Sequence, residues 1–162
     1  MRTKGQIDGL QPETNKVFGY IKIWVHLVWT TKNREPFLTK DIRKQILDHL
    51  LKNAIDKGIY IDFINGYLDH VHCLVCLGSG QNIDKIMMLL KGESSYWINK
   101  NKLIRQKFEW QNEYFAVSVS ESAVNRVRDY IKNQEEHHRK KSFQQEYDEF
   151  MLKYGFDKFL SG

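Results

Sequence analysis

Apolar residues occupy every second position from Ile21 to Trp29. This period of two predicts a β-strand over residues 21–31. Residues 39–57 instead repeat apolar side chains every three or four positions, which predicts an amphipathic helix that ends at Gly58. Two further apolar runs predict strands over 59–67 and 70–77, with a turn between them.

The second half of the chain begins where Gly78 and Gly80 end the third predicted strand. The later predicted elements are a helix over 83–97, a loop over 99–111, a strand over 114–119, a helix from Ser120 or Ser122 to about Arg139, and a helix over 143–154. The resulting order, β-α-β-β-α-β followed by helices, predicts an α+β, ferredoxin-like antiparallel sheet with additional C-terminal helices. The first two helices are expected to cover one face of that sheet.

The 162 residues are enough for one domain, which we place over 19–162 after a loosely ordered leader over 1–18. No apolar run approaches the roughly 20 residues of a membrane span, and residues 1–16 do not resemble a secretory signal. Cys73 and Cys76 point to opposite faces of the third strand, so free, buried thiols are expected. Free thiols favour a cytoplasmic location.

Two histidines, His70 and His72, lie on the same face of the third predicted strand because side chains alternate along a strand. A lone histidine pair is more often structural than metal-binding, and a third ligand is needed. Tyr130 and Gln134 are one helical turn apart and share a helix face. Without other evidence, Tyr130 is a packing residue and Gln134 a surface residue.

The net charge is +5, which favours a polyanionic partner without establishing one. Basic residues concentrate beside the candidate site: Lys32 and Arg34 follow the first strand, and Arg139, Lys140 and Lys141 follow the tyrosine. We expect the adjacent His137 and His138 to be a solvated pair that faces DNA. Five aromatic residues can stack on unpaired bases or pack in the core: Trp24, Tyr96, Trp97, Trp110 and Tyr114.

Three motifs together resemble the single-tyrosine HUH transposases, which are the transposases of single-strand insertion sequences and the REP-associated tyrosine transposases. The motifs are Asp69-His70-Val71-His72, Val127-x-x-Tyr130-Ile131-x-Asn133-Gln134-x-x-His137-His138 and Trp24-Val25-His26-Leu27-Val28-Trp29-Thr30-Thr31. The resemblance spans about residues 20–155. It implies that His70, His72 and Gln134 hold Mg²⁺ or Mn²⁺. It also implies that Tyr130 attacks the scissile phosphorus and forms a 5′-phosphotyrosine bond.

The resemblance implies single-stranded DNA with hairpins as the substrate. It also implies a homodimer in many members, sometimes with Tyr130 serving the histidines of the other subunit, whereas the REP-associated branch includes monomers. No nucleotide cofactor is expected, because the phosphotyrosine bond retains the energy for rejoining and the chain has no Gly-rich phosphate loop. Three alternatives remain: a domesticated enzyme acting on chromosomal palindromes, a replication nickase, and a non-catalytic ferredoxin-like module that binds nucleic acid.

Overall fold

The structure is a computed structural model that describes residues 19–156, so the predicted leader over 1–18 lies outside the described residues. The four strands are β1 (Ile23–Thr31), β2 (Tyr60–Gly66), β3 (His70–Leu77) and β4 (Trp110–Val119). The α-helices are α1 (Lys40–Asp56), α2 (Ile83–Lys100), α3 (Val124–Lys132), α4 (Gln134–Lys140) and α5 (Phe143–Lys153). Short 3-10 turns follow β1 at Lys32–Arg34 and β4 at Glu121–Ala123.

The sheet has the strand order β2-β3-β1-β4, and every pair of neighbouring strands is antiparallel. Strand β3 therefore lies between β2 and β1, as the split βαβ arrangement requires. The predicted α+β, ferredoxin-like fold with additional C-terminal helices is confirmed. Between residues 19 and 156, no helix is long and apolar enough to cross a membrane.

The two faces of the sheet carry two separate hydrophobic clusters. Leu27 and Trp29 of β1 belong to the larger cluster, together with Leu50 of α1 and Leu90 of α2. The opposite face has a smaller cluster, whose five buried residues are Trp24, Tyr60, Leu74, Val124 and Ile131. Helix α3 supplies two of these residues, so it lies on the sheet face opposite α1 and α2.

Strand β2 contains a bulge at Asp62. Ile61 pairs with Val75 of β3 and Phe63 pairs with Leu74, so Asp62 is the one extra residue between two consecutive pairs. A bulge of this kind bends its strand and redirects a side chain. The carboxylate of Asp62 is buried on the face that α3 covers, where it contacts Arg128.

The predicted single helix to Arg139 is broken at Asn133, which separates α3 from α4 with a ψ of 33°. Side-chain amides compensate for the backbone hydrogen bonds that the break removes. Asn65 of β2 donates to the carbonyl oxygens of Ile131 and Lys132, both at 3.0 Å, and Gln134 donates to that of Tyr130 at 3.1 Å. Because Asn65 is remote in the sequence, periodicity could not predict this break.

The predicted loop between the second helix and the fourth strand begins after Lys100, and β4 starts earlier than expected, at Trp110. Phe108 and Trp110 are both buried in the larger cluster and anchor the loop to the sheet. Cys73 is buried in the same cluster, and Cys76 packs against the smaller one, so the two thiols point to opposite faces as predicted.

Candidate active site

His70 and His72 are fully buried on the sheet face that α3 covers. The Nδ1 atom of His70 lies 2.7 Å from the Asp69 carboxylate, and its Nε2 lies 3.2 Å from Oε1 of Gln134. A carboxylate accepts only, so Nδ1 of His70 carries the proton and, in the neutral ring, Nε2 presents a lone pair. In metal sites, a carboxylate that accepts from one ring nitrogen of a histidine orients the other ring nitrogen toward the metal.

His138 shows the same arrangement from the other side of the site. Its Nδ1 donates to the carbonyl oxygen of Lys141 at 2.8 Å, and its Nε2 lies 3.1 Å from Oε1 of Gln134. Three acceptor atoms, Nε2 of His70, Nε2 of His138 and Oε1 of Gln134, therefore face one another. Acceptors in contact repel unless a cation lies among them, so this group of donor atoms fits a metal ion.

His72 contacts Glu146, which comes from α5. Its Nε2 lies 2.8 Å from Oε1 of Glu146, but the geometry is not that of a hydrogen bond, and neither buried atom has a hydrogen-bond partner within residues 19–156. On its other side, Nδ1 of His72 lies 2.9 Å from Nε2 of His26. Burial is the main cause that lowers the pKa of His72 to about 4 and that of His26 to about 3, and His72 also lowers the pKa of His26, so both rings are neutral at pH 7.

A group of four side chains can place ligand atoms within 4.8 Å of one another: His70, His72, His138 and Glu146. Gln134 adds its amide oxygen to this group through the contacts with His70 and His138. The three predicted ligands, His70, His72 and Gln134, thus lie together in one chain. The donor set of imidazole nitrogens with amide and carboxylate oxygens suits a divalent metal ion.

Tyr130 lies beside this group, with its ring centroid 5.4 Å from that of His72. Its hydroxyl donates to Oε2 of Glu146 at 2.5 Å and lies 3.3 Å from Nε2 of His137. Burial and the neighbouring Glu146 carboxylate raise the pKa of the Tyr130 phenol. Burial alone would raise the pKa of Glu146, but the close imidazoles of His138 and His72 outweigh it and hold the pKa below its usual range.

Glu146 is the residue that sequence analysis missed. The sequence does contain a sign of its role, because Glu146 lies on the apolar face of α5, three residues after Phe143 and four before Phe150. Phe143 and Glu146 are both buried. A carboxylate on the buried stripe of an amphipathic helix is costly unless it is paired, and this cost identifies it as a candidate.

The prediction of a solvated pair at His137 and His138 is wrong. The side chain of His138 is 2% exposed and stacks on Tyr67, and that of His137 is 23% exposed. Side chains of adjacent residues leave a helix about 100° apart, so His137 and His138 were not expected to reach one partner. Even so, both imidazoles contact Oε2 of Glu146, at 2.8 Å from His137 and 3.4 Å from His138.

The other basic candidates lie around this site with acidic or aromatic partners. Arg34 packs over the rings of Phe143 and Tyr147 on α5, at 5.0 and 4.9 Å. The remaining four form exposed or half-buried ion pairs: Lys32 with Glu109, Arg139 and Lys140 with Glu136, and Lys141 with Glu149. These four lysine and arginine side chains can exchange a surface carboxylate for a phosphate at small cost.

A cavity of about 530 Å³ opens beside the hydroxyl-bearing ring of Tyr130. Arg126 and Lys153 line it, together with the rings of Phe150 and Tyr154. Neither Arg126 nor Lys153 was among the DNA-binding residues predicted from the sequence. Of the five aromatic residues considered for stacking, Trp24 and Trp110 are buried in the two clusters, whereas Tyr96 is exposed.

The family model for IS200-like transposases matches residues 20–134. The chain is 29% identical over 129 residues to the ISDra2 transposase TnpA of Deinococcus radiodurans, which covers 75% of this chain and 91% of that protein. A crystal structure assigned to a transposase of Deinococcus radiodurans R1 matches with a TM-score of 0.60 and 27% identity, covering 75% of this chain and 98% of that one.

A REP-associated tyrosine transposase, solved while bound to a REP hairpin, shares the fold at 18% identity. Its TM-score is 0.53, and the match covers 76% of this chain and 72% of that one. The family match includes the strand with His70 and His72 and the helix with Tyr130, and it ends at Gln134. The chain therefore belongs to the IS200-like, single-tyrosine HUH transposase family and is a transposase.

Proposed function

We propose that this transposase cuts and rejoins single-stranded DNA through a 5′-phosphotyrosine bond to Tyr130. The observation that carries the proposal is the position of the Tyr130 ring, 5.4 Å from the ring of His72, beside acceptor atoms that converge within one buried site. A ferredoxin-like module that only binds nucleic acid would not need these acceptor atoms to converge. Burial of so many polar groups costs free energy, and a catalytic metal site explains why they are there.

His70, His72 and Gln134 are the proposed ligands of Mg²⁺ or Mn²⁺, with His138 and Glu146 beside them. Imidazole nitrogens favour Mn²⁺, whereas Mg²⁺ prefers an all-oxygen set. A divalent ion bound there supplies positive charge that polarises a phosphoryl oxygen and stabilises the departing 3′ oxygen. Asp69 keeps the proton of His70 on Nδ1, so Nε2 stays turned into the site.

Tyr130 forms the new bond to phosphorus while the bond to the 3′ oxygen breaks, which leaves a free 3′-hydroxyl and a 5′-phosphotyrosine. The same residues catalyse the reverse reaction when a 3′-hydroxyl attacks that bond, so rejoining needs no nucleotide cofactor. Arg126 and Lys153 line the cavity beside Tyr130 and can hold the phosphates that flank the cleaved bond. Positioning of this kind accounts for much of the rate of phosphoryl transfer.

The proposed substrate is single-stranded DNA with a hairpin, in keeping with the REP hairpin bound by the REP-associated relative. Tyr130 and its proposed metal ligands come from one chain, so we propose that each chain carries a complete site whether or not the protein forms a homodimer. The free Cys73 and Cys76 agree with the proposed cytoplasmic location.

The test is incubation of the protein with a labelled single-stranded hairpin and Mn²⁺, followed by denaturing electrophoresis. We expect a covalent protein–DNA species that Tyr130→Phe abolishes, because the substitution deletes the attacking oxygen. Tyr96→Phe is the matched control, since Tyr96 is exposed on α2 across the sheet from the site. Cleavage that persists in Tyr130→Phe would show that activated water is the nucleophile.

A further inference from the structure

Gln134 and His138 lie one helical turn apart on α4, so their side chains leave the same face of that helix. Both side chains are buried. The same i, i+4 spacing lets the helix of a His-Glu-x-x-His motif present two histidines to one zinc ion. The spacing therefore places His138 where it can bind the same ion as Gln134.

The ring of His138 is held in place by contacts on several sides. Its Nδ1 donates to the carbonyl oxygen of Lys141 at 2.8 Å, a kind of contact that directs the other ring nitrogen toward a metal. Its face stacks on Tyr67, with ring centroids 5.2 Å apart and an interplanar angle of 18°. The buried guanidinium of Arg43 lies 5.7 Å from the centroid of the Tyr67 ring and supports that ring in turn. His138 thus presents Nε2 to the site in a fixed direction.

The neighbours of His138 Nε2 are acceptors. It lies 3.1 Å from Oε1 of Gln134 and 3.4 Å from Oε2 of Glu146. The Gln134 amide is oriented by the hydrogen bond that its nitrogen donates to the Tyr130 carbonyl oxygen, so its Oε1 faces the imidazoles. Nε2 of His70 lies 3.2 Å from the same Oε1. A cation among these atoms would satisfy His70, Gln134 and His138 together.

We propose that His138 is a further protein ligand of the divalent ion, through Nε2, beside His70, His72 and Gln134. The inference rests on the proposed metal site and adds a third imidazole to it. The family match ends at residue 134 and does not include His138.

A third imidazole changes which ions the site prefers. Mg²⁺ takes oxygen ligands and gives up its water reluctantly, whereas first-row transition ions bind imidazole nitrogen well. Three nitrogens, from His70, His72 and His138, therefore favour Mn²⁺ over Mg²⁺ more strongly than two would. His138 thus contributes to the metal selectivity of the site as well as to its affinity.

The first test compares wild type with His138→Gln, which replaces the nitrogen donor with an amide. We expect calorimetry to show that Mn²⁺ affinity falls by at least about tenfold, the loss that follows even when a residue that only orients a ligand is removed. Mg²⁺ affinity should change by less than about threefold, because an amide oxygen suits that ion. His49→Gln is the matched control, since His49 is a largely buried histidine on α1, across the sheet, where it pairs with Glu93.

The second test uses wild type and does not depend on the folding of a variant. Zn²⁺ binds imidazole nitrogen and is diamagnetic, so it serves as the probe in NMR of the histidine ring nitrogens. We expect the Nε2 resonance of His138 to move on Zn²⁺ binding together with the resonances of His70 and His72, while those of His49 stay in place. A His138 resonance that does not move when those of His70 and His72 do would overturn the inference.

The outcome for His138 is separable from that for the proposed metal site. If wild type binds Mn²⁺ and His70→Ala does not, the proposed site holds. Equal Mn²⁺ affinity in wild type and His138→Gln then contradicts only the role of His138. An equal loss of Mn²⁺ and Mg²⁺ affinity contradicts it too, because His138 would then support the site without contacting the ion. If wild type binds no divalent ion, the proposed site itself fails.

Discussion

The guanidinium of Arg128 donates two hydrogen bonds to the carboxylate of Asp62, from Nε at 2.6 Å and from Nη2 at 2.9 Å. Arg128 lies on α3, two residues before Tyr130, and Asp62 is the extra residue in the bulge of β2. Together with the amide of Asn65, this pair attaches the tyrosine helix to the sheet of its own chain. It therefore bears directly on whether the active site is built within one subunit.

We expect that a mixture of His70→Ala and Tyr130→Phe proteins forms no covalent adduct. If each chain carries a complete site, as proposed, each variant lacks one essential residue in its own site. The measurement is adduct formation on labelled hairpin DNA after the two proteins are co-refolded at equal concentrations. Activity that reappears in the mixture, but in neither protein alone, would show that Tyr130 serves the partner subunit.

Arg128→Ala should destabilise the protein by about 1.5–3 kcal/mol, because it removes hydrogen bonds between charged groups at a buried carboxylate. Arg128→Lys should retain part of the stability, since lysine keeps the charge but not the planar pair of donors. Urea denaturation measures both. Lys132→Ala, at the exposed end of the same helix, is the control and should change stability by no more than about 0.5 kcal/mol.

Asp69→Ala should lower Mn²⁺ affinity by about 10–100-fold, because Asp69 orients His70 through Nδ1 at 2.7 Å. Affinity for hairpin DNA without metal should be unchanged, since phosphate contacts dominate binding. Calorimetry and fluorescence anisotropy measure the two affinities, and Asp56→Ala at the exposed end of α1 is the control. Full Mn²⁺ affinity in Asp69→Ala would place the ion away from His70.

Replacement of Arg139 and Lys140 by alanine should weaken hairpin binding and reduce the salt slope by about 1.4, at about 0.7 per phosphate contact. The control is Lys44→Ala with Lys52→Ala, because α1 lies across the sheet and Lys44 matches Lys140 in side-chain exposure, at 77% and 78%. Anisotropy titrations at several salt concentrations give both slopes. An unchanged slope would show that Arg139 and Lys140 do not contact DNA and would favour the surface with Arg126 and Lys153 instead.

The sheet was predictable because alternation along a strand is a local property. His70 and His72 share a face whatever surrounds them. Tyr130 and Gln134 were predicted on one helix face, whereas the break at Asn133 places them on two helices, joined by the hydrogen bond from the Gln134 amide to the Tyr130 carbonyl oxygen. Glu146 was not predictable in the same way. Amphipathic periodicity shows which side of α5 is buried, but it does not show what that side covers.

The burial of His138 and the helix break at Asn133 could not be predicted, for a related reason. Both depend on partners that are distant in the sequence, namely Tyr67 for the ring and Asn65 for the freed carbonyl groups. A charged segment at the end of a predicted helix looks solvated when only its own residues are considered. Its contacts become evident only once β2 and α5 are placed.

The bulge at Asp62 also affects the tendency of the protein to aggregate. β2 is an edge strand, and a regular edge strand offers unpaired backbone groups to the strands of other molecules. The extra residue interrupts that regular edge while its side chain holds Arg128. Deletion of Asp62 would release the tyrosine helix and at the same time straighten the edge. Loss of activity and a greater tendency to aggregate would then share a single cause.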